Sequence, residues 1–144
     1  MARLYRISCA ALLGAQLFFA GVAAQSVFSP EIASLSRDDP RRRAAADAVG
    51  AMLAHLDAAT LALCGVAVVC ALQLRRARAA LLPLLAGLCA LASAALVTPA
   101  IHAMRLAGDI ASPRFGALHG ISTILLIVEM LLLEIGRASC RERV

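Results

Sequence analysis

The stretch "GVAVVCALQLRRARAALLPLLAGLCALA", residues 65–92, sets two apolar runs on either side of "RRAR", Arg75 to Arg78. A run of about 20 apolar residues is what an α-helix needs to cross some 30 Å of hydrocarbon at about 1.5 Å per residue. Four residues between two such runs leave room for a turn and nothing more. The stretch therefore predicts a tight hairpin of membrane helices. One arm takes in the apolar run Ala58 to Leu74, and the other runs from Ala79 to Ala100. Pro83 and Pro99 fall near the ends of the second arm, where a membrane helix tolerates proline.

Toward the N-terminus the first arm lengthens. "SRDDP", residues 36–40, reads as a helix start, with an aspartate cap and a proline in the first turn. Val49, Met52, Leu53 and Leu56 then repeat at the spacing of one helical face. This helix is expected over 48–74, leaving the bilayer near His55 and Asp57. Before it, residues 5–28 form a first span behind Arg3 and Arg6, ending at Ser29-Pro30. The competing reading is a signal peptide cleaved after Ala24, with Val22 and Ala24 at the small-residue positions. The span is the preferred reading. Toward the C-terminus, Gly108 and Pro113 break the chain, and residues 116–133 form a fourth span. The expected fold is all-α: an integral-membrane four-helix bundle over residues 1–133, with helices at 5–28, 48–74, 79–100 and 116–133.

Composition agrees. Of 144 residues, 62% are hydrophobic and 16% charged, too apolar for a soluble domain of this size. All 14 basic residues are arginine, and alanine is abundant, as a GC-rich bacterial genome would produce. The net charge of +5 raises the question of nucleic acid, but the arginines cluster at the ends of apolar runs, with no stripe interleaved with aromatics. They read as topology signals of a bacterial inner-membrane protein, and no nucleic-acid partner is expected. Arg3, Arg6, Arg75, Arg76 and Arg78 share one side, against Arg37, Arg41, Arg42, Arg43, Arg105 and Arg114. The first set lies directly against the spans without acids, which favours cytoplasmic termini. The five cysteines include no CxxC, and Cys9, Cys64, Cys70 and Cys89 lie within apolar helices as small hydrophobes.

The end of the chain changes character at "EIGRASCRERV", residues 134–144. One reading is a basic tail that anchors the fourth helix. The other comes from reverse translation: ATC GGA AGA GCG TCG TGT AGG GAA AGA GTG encodes Ile135 to Val144 and reads as a ligation adapter of short-read sequencing. On that reading residues 134–144 are a non-native read-through tail, excluded from fold reasoning.

"TPAIHAMR" closing the third helix and "FGALHGIST" opening the fourth resemble the transmembrane protein 205-like family, also called domain of unknown function 4149. The resemblance rests on Pro99, Arg105, Phe115, His119 and Ser122. It covers most of the four-span chain, and it implies a small multi-spanning membrane protein with no established activity. That family commonly carries an asparagine one turn after the serine, where this chain has Leu126.

Three constellations hold the remaining chemistry. His55, His102 and His119 fall toward one membrane face and are candidate metal or haem ligands, with Met52, Met104, Asp57 and Asp109 as supplements. None of the histidines share the i, i+3 or i, i+4 spacing of a preformed site, and interfacial histidines bonded to water, backbone or headgroups are the favoured alternative. No cofactor is expected. On the fourth helix His119, Ser122 and Glu129 lie three and seven residues apart on one stripe, which should face protein. A glutamate at depth should be neutral, paired or near water, with Gln16 or the serine and threonine hydroxyls of the third and fourth helices as partners. The stripe serves either as a proton or ion relay or as polar glue between helices, and glue is favoured. Gly116 and Gly120 form a GxxxG that admits a close neighbouring backbone, from this chain, a second copy or another membrane protein. Arg105 and Asp109, four apart, would pair if the third helix continues past Pro99.

No nucleophile elbow, P-loop, HExxH or paired carboxylates on a common face is present, so no enzymatic reaction is expected. The sequence thus reads as a structural or interaction module in contact with the lipid bilayer. The alternative is a small oligomeric transporter or metal-responsive membrane protein built on the His/Glu face.

Overall fold

The structure is a computed structural model and describes residues 1–36 and 39–139. Four of its helices are long and apolar enough to cross a membrane: Ala2–Val27, Pro40–Gln73, Ala79–Leu106 and Pro113–Ala138. We name the first α1 (Ala2–Val27) and the short helix after it α2 (Pro30–Ser34). The others are α3 (Pro40–Gln73), α4 (which opens at Ala77 and runs to Leu106) and α5 (Pro113–Ser139). Among the described residues there is no strand. The chain is an all-α, multi-pass membrane protein.

The helices start where the sequence supplies caps. Ser29, Asp39 and Ser112 each precede a proline and accept a backbone N–H, from Ile32, Arg41 and Phe115 respectively. Proline at the first helical position forfeits an N–H that had no helical partner anyway. The stops are equally specific. After α4, Gly108 takes a φ of 73°, and the amides of Gly108 and Asp109 bond back to the carbonyls of Arg105 and Met104. After α3 the same double bond forms from Arg75 to Leu72 and from Arg76 to Ala71, but the left-handed residue is Arg75, at φ 53°. That pair of bonds closes the hairpin predicted from the arginine turn.

Several boundaries move from expectation, among them the start of α3, at Pro40 and not at 48. The α4 helix does not end at Ala100 but continues through Pro99 to Leu106, by way of a π-helical turn at Ser93–Val97. Pro99 cannot donate to the Ala95 carbonyl and its ring crowds that carbonyl, so the turn before it widens. Likewise α5 begins at its Ser112-Pro113 cap and continues to Ser139, past the expected end at Leu133. Residues 140–144, with Cys140, lie outside the described residues, as do Arg37 and Asp38.

The four spans close into an up-and-down ring in which α1 packs on α3, α3 on α4, α4 on α5 and α5 back on α1. The core is built of small side chains, with Cys9, Cys64, Ala67, Cys70, Ala71, Ala80 and Ala86 around Tyr5, Leu12 and Leu133. Small residues let membrane helices approach closely, because lipid offers no hydrophobic drive between them. At the α3–α4 crossing a Cβ on Gly87 would lie 3.4 Å from the Cβ of Cys64. Large apolar residues such as Ile7, Phe18, Val69, Leu88, Leu96, Ile124 and Leu131 point outward, as a lipid-facing surface requires.

Candidate functional site

Each of the four spans contributes a polar side chain to the inside of this apolar ring. On α1 the buried stripe Tyr5, Ser8, Cys9, Leu12 and Gln16 repeats every three to four residues and brings Gln16 to mid-span. On α3 the stripe Asp57, Thr60, Cys64, Ala67 and Cys70 does the same. On α4 Ser93 opens the π-helical turn and faces inward, and on α5 Glu129 does so. Gln16 and Thr60 have no exposed surface, and Glu129, Ser93 and Asp57 retain 2%, 3% and 4%. In a bundle surrounded by lipid these are the costly residues.

Two hydrogen bonds order the layer. The Gln16 amide nitrogen donates to the Glu129 carboxylate at 2.7 Å, joining α1 to α5. The Ser93 hydroxyl donates to the Asp57 carboxylate at 3.1 Å, joining α4 to α3. Glu129 lies within electrostatic reach of Asp57 and Cys64. Gln16 Oε1 and Thr60 Oγ1 have no hydrogen-bond partner.

Polar ties above and below complete the frame. At one end the Tyr5 hydroxyl of α1 donates to the Ala79 carbonyl of α4 at 3.0 Å. That carbonyl would ordinarily accept from residue 83, which is proline and has no N–H. At the other end Arg105 of α4 donates to the Ala46 carbonyl of α3 at 2.9 Å and stands 3.8 Å from the Asp47 carboxylate. Arg105 therefore pairs across the bundle and not with Asp109. Gly108 ends the helix between them, so the one-turn spacing is never realised.

The sequence-predicted residues distribute unevenly. Of the stripe on α5, Glu129 is buried, Ser122 half-buried and His119 exposed, so only its deep end faces protein. Gln16, one of the partners the sequence offered to Glu129, is the residue bonded to it. Asp57 does not mark the point where α3 leaves the bilayer: it sits in the bundle interior on Ser93. His55, His102 and His119 are all exposed, and His55 Nδ1 lies 2.7 Å from the carbonyl of Ala51 on its own helix. Among the described residues no three His, Cys, Asp or Glu side chains are placed to hold a metal ion. Of the motif positions, Arg105, Phe115 and Ser122 are half-buried, while Pro99 and His119 are exposed. A Cβ added at Gly116 or Gly120 would meet nothing within 4 Å, so the GxxxG does not pack inside the chain.

Sequence reasoning missed Asp57 and Thr60 as buried interior residues, while Ser93, one of the third-helix hydroxyls it offered to Glu129, bonds Asp57 instead. The available signal was the three-residue step from Asp57 to Thr60, continued by Cys64 and Ala67 on one face. No family model, curated protein or solved structure matches the chain.

Proposed function

We propose that this protein is an interaction module of a bacterial inner membrane, with cytoplasmic termini and no reaction of its own, that associates with a second copy of itself through α5. The observation that carries this reading is the empty GxxxG. Gly116 and Gly120 are positions where helix backbones can meet, and no part of the chain occupies them. The same span is the least covered of the four, with 11% of its apolar window buried against 39% in α4. The resemblance of "FGALHGIST" to the transmembrane protein 205-like pattern supports a small multi-spanning protein of this kind. A metal-responsive role has no support in the positions of the three histidines.

The test is a Gly116→Leu, Gly120→Leu double variant, whose added side chains meet nothing in the isolated bundle and so leave it folded. Cross-linking in native membranes should give dimer in the wild type and monomer in the variant. An unchanged cross-linking pattern, or monomer in both, sinks the reading. Reporter fusions at each terminus test the orientation, and periplasmic activity at either end refutes it.

A further inference from the structure

The buried layer has more acceptors than donors. Its two carboxyls, Glu129 and Asp57, accept from Gln16 and Ser93 respectively. Glu129 is bonded to Gln16 and lies within electrostatic reach of Asp57, Cys64 and Cys89, and the other buried polar side chains among the described residues are Ser8, Thr60 and Ser93. None is a cation. Arg105 is engaged at the end of the bundle, and the three histidines point outward. Two ionised carboxylates at this depth would face both desolvation and mutual repulsion with no positive partner. The second observation is independent of charge: Gln16 Oε1 and Thr60 Oγ1, both on side chains with no exposed surface, lack any partner. Gln16 Oε1, on the side chain bonded to the Glu129 carboxyl, lacks what a protonated carboxyl supplies, an O–H donor.

We propose that Glu129 and Asp57 form an intramembrane proton-binding site, the pair holding one exchangeable proton and Gln16 recognising the protonated state. Uptake takes a proton from the aqueous phase, forms one O–H bond on a carboxylate and removes one negative charge; release reverses both. The Gln16 amide suits either state. Its nitrogen donates to ionised Glu129, and after a half-turn about its last side-chain bond its oxygen accepts from the neutral acid.

The experiment is infrared difference spectroscopy of the full chain in lipid nanodiscs, stepped from neutral to alkaline pH. The wild type should show the carbonyl band of a buried protonated carboxyl, which shifts in heavy water and disappears at alkaline pH. Glu129→Gln or Asp57→Asn should abolish it. Absence of the band in the wild type, or its persistence in both variants, overturns the proposal. Should the variants fail to fold, the wild type is treated at neutral pH with dicyclohexylcarbodiimide, which attacks protonated carboxyls in apolar surroundings. An adduct mapped by mass spectrometry to Glu129 or Asp57 supports the site, and its absence from both overturns it.

Discussion

Tyr5 shows how one side chain offsets a defect elsewhere in the chain. Pro83 leaves the Ala79 carbonyl without its helical donor, and the Tyr5 hydroxyl takes that role from another helix. Tyr5→Phe should therefore cost about 1–3 kcal/mol, the penalty for a buried unsatisfied acceptor. In a Pro83→Ala background, where residue 83 regains its N–H, the same change should cost much less. Unfolding of the four variants in mixed micelles measures that coupling, and equal costs in both backgrounds would refute the compensation. Arg75 offers the opposite sign. It holds a left-handed φ that costs a non-glycine residue roughly 1 kcal/mol, so Arg75→Gly should raise stability by up to that amount in the same assay.

At the level of the helix, the cap at Asp39 is pH-dependent. Hydrogen bonds from the Arg41 side chain and backbone hold its carboxyl below the ordinary aspartate value. A lowered folded value means that the cap stabilises the helix above the ordinary value of 3.8 and loses this effect as pH falls through the lowered one. Amide exchange at Arg41 and Arg42 should accelerate under those acidic conditions, relative to residues mid-helix, and Asp39→Ala should remove the difference. Close approach matters where α4 crosses this helix. Replacing Gly87 by leucine should force α3 and α4 apart where its Cβ meets Cys64, whereas leucine at Gly116 or Gly120 should not disturb the monomer. Tryptic resistance in detergent separates the two outcomes.

For the whole molecule, the four spans were legible in the sequence because uncharged apolar runs separated by caps and arginines leave few alternatives. Asp39-Pro40 and the "RRAR" turn marked their ends for the same local reason. Long-range pairing was another matter. Asp57 beside His55 has the local appearance of a surface residue, and only the helix-to-helix packing turns it toward Ser93. Arg105 likewise had Asp109 as its obvious neighbour in sequence, yet its partner lies on α3, some sixty residues earlier. Gln16 was foreseeable as a partner of Glu129 because so few polar residues occupy mid-span positions, and Thr60 escaped notice because a threonine carries no charge to flag it.

The length of α3 has a consequence for the shape the protein presents to water. Its 34 residues make a rod of about 51 Å, against a hydrocarbon thickness of about 30 Å. Tilt alone would have to reach about 54° to hide it, beyond the roughly 40° limit of observed membrane helices. The first turns of α3, with Arg41, Arg42 and Arg43, must therefore stand clear of the hydrocarbon as a short rigid stalk. A protein whose loops are only a few residues long thus still offers the aqueous side a fixed, positively charged handle.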